Sequence, residues 1–124
     1  MLHPILFAMG IGRIVLGLAP FVAAGPSARL LGFPAHHDNA TARLMGRLFG
    51  VRDVGLGVLV FYGLKHPEVL GFLVLFNALT DFGDVVAVGV ALAGREGIDR
   101  GALASGAMAL PAGLAWLGVL ALLG

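Results

Sequence analysis

The sequence predicts an all-α integral membrane protein: an antiparallel four-helix bundle forming a single membrane domain over residues 1–124. Three observations carry that reading. The chain is 59% hydrophobic and 12% charged, where soluble proteins carry about a quarter charged residues. Four apolar runs each reach the roughly 20 residues that a helix needs to cross a bilayer. The connections between them are short and rich in glycine, proline or charge, as between neighbouring antiparallel helices.

The first span is expected at about residues 5–24. Pro4 precedes it, in a first-turn position where a missing N–H costs little. Arg13 falls near its middle among Gly10, Gly12 and Gly17, and Gly25-Pro26 is expected to end it. Ser27 to Phe33 reads as a short amphipathic turn at the interface, stopped by Pro34. A polar loop, His36-His37-Asp38-Asn39, follows, with Asn39 or Thr41 as the cap of the second span.

That second span, about 42–64, opens on Ala42-Arg43-Leu44-Met45-Gly46-Arg47-Leu48-Phe49-Gly50-Val51-Arg52-Asp53 before turning apolar. Lys65-His66-Pro67 reverses the chain into a third span, about 68–93, which holds Asn77, Thr80, Asp81 and Asp84. A charged loop from Gly94 to Gly101 leads to the fourth, about 102–123, which carries no charge but has Pro111, read as a kink, and Trp116, read as an interfacial or packing residue. Arg29, Arg95 and Arg100 lie in the first and third connections, with Arg43 nearby. The positive-inside bias therefore puts those loops in the cytoplasm and both termini outside. The N-terminus lacks the basic region of a cleaved signal peptide and reads as a retained helix. Arginine outnumbers lysine seven to one and glycine and alanine abound, which points to a GC-rich bacterial genome, and the expected location of the multi-pass chain is the bacterial cytoplasmic (inner) membrane.

Composition also excludes several functions. A net charge of +1 offers no broad basic field for nucleic acid. Without cysteine there is no thiolate chemistry, disulfide or cysteine metal site. His3, His36, His37 and His66 fall at segment ends or in loops and form no HExxH pattern. Neither a P-loop nor a GxGxxG or GxSxG motif is present. No metal site and no cofactor are expected.

The candidate site comes from depth. Arg13, Arg52, Asp53 and Asp81 lie near the centres of three spans, with Arg47 and Asp84 within two turns of those centres at about 1.5 Å per residue. Three arginines then share one slab with three aspartates, a balance that the cost of an isolated charge in a bilayer demands. At least one Arg–Asp pair is expected between the second and third spans or the first and third. Asn77, Asp81 and Asp84 form one stripe of the third span. Gly46, Gly50, Asp53 and Gly57 form another on the second, where Gly46-x-x-x-Gly50 would let a neighbouring helix approach. Arg47 and Arg52 point away from that stripe, so the second span must serve two neighbours.

The run from Ala42 to Asp53, after Gly25-Pro26 and Leu30-Leu31-Gly32-Phe33-Pro34 and before Asp81-x-x-Asp84, resembles small uncharacterised bacterial membrane proteins. These are mostly actinobacterial, classed as a domain of unknown function and loosely DoxX-like. The sharpest part of the resemblance is Gly50-Val51-Arg52-Asp53. It implies four spanning helices and no assigned activity, and whether the protein is an enzyme stays open.

Three functions suit these residues. The first is a protein that binds a lipid or small lipophilic molecule through Arg13, Arg47, Arg52 and Asn77. It could transform that molecule by isomerisation, hydration or epoxide opening, with Asp81, Asp84 or Asp53 as acid or base. The second is a non-enzymatic structural or accessory subunit of a homo-oligomer or membrane complex. The third is a small proton-coupled transporter titrating at Asp81.

Overall fold

The computed structural model describes residues 2–123, which form five α-helices and one 3₁₀ turn. Helix α1 is Leu2–Val22, α2 is Ala24–Leu31, α3 is Ala40–Lys65, α4 is Pro67–Ala93 and α5 is Asp99–Leu123, with the 3₁₀ turn at Ala35–His37.

The first difference from the expected pattern is α2. Gly25-Pro26 does not end the first helix. The break comes earlier, at Ala23 (φ −133°, ψ 64°), and Gly25-Pro26 lies in the first turn of a new helix, where proline's absent N–H is harmless. What was expected as a turn from Ser27 is therefore a separate eight-residue helix, closed by Gly32 at φ 99°. That left-handed conformation is strained for any residue with a Cβ. The other boundaries shift by only a few residues. Asn39 caps α3, its side chain accepting a hydrogen bond from the Ala42 N–H at 2.9 Å, and Pro67 occupies the start of α4. The largest remaining shift is at α5, which begins at Asp99 inside the charged loop, its acidic first turn suiting the positive end of the helix dipole.

Helices α1, α4 and α5 are long and apolar enough to cross a membrane. Helix α3 has the length, but Arg43, Arg47, Arg52, Asp53 and Lys65 interrupt its apolar run. The outer faces agree with a membrane-type helical protein. Phe72, Val86 and Leu122 are each at least 66% exposed, and large apolar side chains also stand out along α1 and α3. Soluble monomers rarely show such continuous apolar surface.

Two helix pairs dominate the packing. In one, α1 and α3 run antiparallel with glycines at the crossing. A Cβ on Gly17 would fall 2.6 Å from the Gly50 carbonyl oxygen, one on Gly50 would strike the Gly17 carbonyl, and one on Gly57 would sit 2.8 Å from the Gly10 carbonyl. Backbone meets backbone here, as small residues allow in membrane helices. In the other pair, α4 and α5 pack by side chain into gap, with the Phe82 ring against Gly113 and Val88 against Gly106. Leu6, Val60, Leu70, Val74, Ala78, Trp116 and Val119 knit the two pairs together at the end holding the α3–α4 turn. Trp116, expected at an interface or in packing, is 2% exposed and belongs to this core.

Candidate functional site

Arg13 lies at the midpoint of α1, between Gly10 and Gly17 on the buried face. Because those glycines bring α1 against α3, the Arg13 side chain passes inward rather than out to the surface. Its two terminal nitrogens donate to the Asp81 carboxylate, Nη1 to Oδ2 at 2.9 Å and Nη2 to Oδ1 at 2.7 Å. This is the paired, planar geometry that makes arginine–carboxylate contacts strong. The guanidinium also lies 5.9 Å from the Trp116 ring, within the range of a cation–π contact.

One helix along, Arg52 repeats the arrangement with Asp84. Nη1 donates to Oδ1 at 3.0 Å and Nη2 to Oδ2 at 2.8 Å. The Phe49 ring flanks it, 4.7 Å from the guanidinium carbon. Asp53 sits between the two arginines, its Oδ1 3.7 Å from Arg13 Nη2 and 3.4 Å from Arg52 Nη2. The result is a continuous chain, Asp81–Arg13–Asp53–Arg52–Asp84, joining α1, α3 and α4.

The arrangement is uneven in two ways. Its inner members are closed off: Arg13, Asp53 and Asp81 are buried, as is Asn77 beside them. Its outer pair is open, with the Arg52 side chain 37% and the Asp84 side chain 29% exposed. The group also contains three carboxylates and two guanidiniums. Arg47, expected in the same slab, is exposed and has no ion-pair partner among the described residues. It lies on the far flank of α3, so the balance of three against three does not form within one chain.

Asn77 donates from Nδ2 to the Leu73 carbonyl at 2.9 Å, whereas its Oδ1, like Arg13 Nε and Arg52 Nε, is buried without a hydrogen-bond partner. Thr80 turns back onto its own helix, donating to the Phe76 carbonyl. The glycine stripe is used inside the chain: Gly46 faces Ala24 and Pro20, and Gly50 and Gly57 face α1.

Two cavities lie elsewhere, around α2. One of about 640 Å³ is lined by Arg29, Phe33, Pro34, Arg100 and Leu103 with their neighbours. Another of about 260 Å³ on the other side of Arg29 and Phe33 is lined by residues including Ala28, His37 and Met45. Beside it, Arg43 Nε donates to Asp38 Oδ1 at 2.8 Å, and that contact holds the Asp38 carboxyl below the usual range. His36 and His37 pack edge to face, and no group of three metal-ligating side chains forms among the described residues. Sequence reasoning used Arg29 and Arg100 only for orientation. Their meeting at one cavity depends on α2, whose existence it missed.

The chain belongs to a family described as a domain of unknown function, DUF4267, whose family model matches residues 10–123. The match covers α1 from Gly10 onward and α2 to α5 in full, and carries no link to DoxX proteins. No curated protein and no solved structure matches the chain.

Proposed function

We propose that this protein is a non-enzymatic structural subunit of the bacterial cytoplasmic membrane, a four-span antiparallel bundle of α1, α3, α4 and α5 that assembles laterally with copies of itself. Both termini lie outside. The Arg13–Asp81 pair fastens each copy internally, and the Arg52–Asp84 pair forms the edge at which copies meet.

The observation that supports this reading is the uneven charge chain. Its exposed end lies at the middle of α3 and α4, where a bilayer is driest and an uncovered ion pair most costly. The chain is one cation short, while Arg47 stands exposed on the same helix about five residues, or 7.5 Å, from Arg52. In a parallel side-by-side contact about a two-fold axis along the membrane normal, Arg52 of each copy reaches towards Asp84 of the other, while Arg47, on the far flank of α3, lies outside that contact. Closed symmetric dimers are the commonest such assembly. The glycine stripe, used within the chain, leaves this edge as the charged surface for association.

Native mass spectrometry of the protein released from nanodiscs tests the proposal. The wild type should appear as a dimer or higher oligomer, and Arg52→Ala should shift it towards monomer with its helical content unchanged. A wild type that is monomeric at all protein-to-lipid ratios would overturn it.

A second reading is binding of a small lipophilic molecule, with Asp81, Asp84 or Asp53 as acid or base. The unpartnered Asn77 Oδ1 and Arg13 Nε favour it. The closure of Asp81 by Arg13 favours the structural role. Recovery of a stoichiometric small molecule that Asn77→Leu fails to retain would reverse the ranking.

A further inference from the structure

The larger cavity near α2 has a chemistry unlike the rest of the surface. Arg29, in the last turn of α2, and Arg100, in the first turn of α5, both line it. Neither forms an ion pair among the described residues. The nearby carboxylate on the α2 side, Asp38, is engaged by Arg43 at 2.8 Å. Asp99 and Glu96, on the α5 side, do not line the cavity. The other side chains that line it are those of Leu30, Leu31, Phe33, Pro34, Leu103 and Ala104.

The backbone is shaped to bring these arginines together. Gly32 turns at φ 99°, and a Cβ there would press on Arg100 Cβ at 3.2 Å. A Cβ on Gly101 would run into the Phe33 ring. Two glycines therefore let the end of α2 close onto the start of α5. The first turn of α5 also leaves backbone N–H groups free and places the positive end of its dipole beside Arg100. Leu30, which lines the cavity, is 90% exposed.

We propose that this cavity holds the phosphate head of an anionic amphiphile, with Arg29 and Arg100 gripping the phosphate and Leu30, Phe33 and Leu103 lying along the first carbons of its tail. Arginine forks match phosphate oxygens, and a basic pocket between helix ends at the cytoplasmic boundary is suited to lipid headgroups. A volume of about 640 Å³ falls in the range of small-molecule sites. A free phosphate would satisfy the two arginines but leave the exposed Leu30 beside them uncovered, so the lipid is the source the site favours. This site is separate from the Arg52–Asp84 edge and stands whether or not copies assemble there.

The test is lipid retention. Protein in nanodiscs of phosphatidylcholine with one fifth phosphatidylglycerol is released for native mass spectrometry, and bound lipids are counted. Wild type should keep phosphatidylglycerol over phosphatidylcholine, about one per chain. Arg29→Ala/Arg100→Ala should lower that preference by about tenfold or more, the worth of one charge-assisted contact, while Arg95→Ala, in the same loop but outside the cavity, should keep it. The milder Arg29→Gln keeps the proposal testable should the double variant misfold. Phosphatidylglycerol retention undisturbed by millimolar inorganic phosphate identifies a lipid site. Displacement by phosphate alone identifies a site for the free anion and overturns the amphiphile. Equal retention by wild type and the arginine variants overturns the site itself.

Discussion

Two ion pairs in this molecule have nearly the same bond geometry and opposite surroundings. Arg13–Asp81 and Arg52–Asp84 are both two-pronged, with shortest contacts of 2.7 and 2.8 Å. The first has both side chains 7% exposed; the second has them 37% and 29% exposed. Bond length therefore does not distinguish them, and the difference lies in what surrounds each charge. Breaking a pair whose members have left solvent strands an uncompensated charge inside. Breaking one at an open edge leaves charges that a neighbouring chain can reach. The comparison assigns the first pair to internal cohesion and the second to whatever covers that edge.

The sharpest way to break this comparison is to remove one inner partner. Asp81→Ala should lower stability by about 3–5 kcal/mol, because Arg13 stays buried without its carboxylate. Adding Arg13→Ala should recover a large part of that loss, giving a coupling visible in a double-mutant cycle of thermal unfolding in micelles. A smaller loss, about 1–3 kcal/mol, is expected for Gly50→Ala, which pushes α3 off α1 and loosens the seat of Arg13. Gly55→Ala, facing open space on the same helix, should change stability by less than about 0.5 kcal/mol. Equal effects at the two glycines would remove the close-packing argument.

Arg52→Ala should cost less than Asp81→Ala in a solubilised monomer, because Asp84 is partly exposed, yet change the oligomer distribution in lipid. The reverse outcome, a large stability loss with unchanged assembly, would make the two pairs equivalent. The smallest effect is expected at Asp38. Its carboxyl titrates below the ordinary 3.8 in the folded protein, so its stabilising contribution is complete above that value and fades as pH falls through the lower, folded one. Asp38→Asn should erase this slight slope of unfolding temperature between about pH 5 and 2 and leave neutral-pH stability nearly unchanged.

Much of the fold was readable because bilayer thickness sets how long an apolar run must be. The long helices follow those runs to within a few residues at most ends, and Asn39 caps α3 through ordinary side-chain chemistry. The break at Ala23 was not readable. Gly25-Pro26 is a stop signal for a helix that precedes it but an acceptable first turn for one that begins there, and only the packing of α2 against α1, α3 and α5 selects the second use. Depth along the helices placed Arg13, Arg52, Asp81 and Asp84 in one slab and led to the expectation of an Arg–Asp pair between the second and third spans or the first and third, without saying which residues pair. It could not separate Arg47 from them, because depth ignores rotation: Arg47 and Arg52 are five residues apart and so point about 140° away from each other. Trp116 was hidden for a related reason. Aromatic residues near a span's end suit an interface or a core equally, until the neighbouring helices are placed.

The most direct test of assembly at the Arg52–Asp84 edge uses the absence of native cysteine. Single cysteines at Leu48, one turn from Arg52, and at Thr80, one turn from Asp84, are to be oxidised in native membranes and compared with Leu114→Cys on the outer face of α5 and Val15→Cys on that of α1. Disulfide-linked dimers at positions 48 and 80, with little at 114 and 15, are the expected result. Cross-linking that is absent at all four positions, or equal at all four, would contradict it.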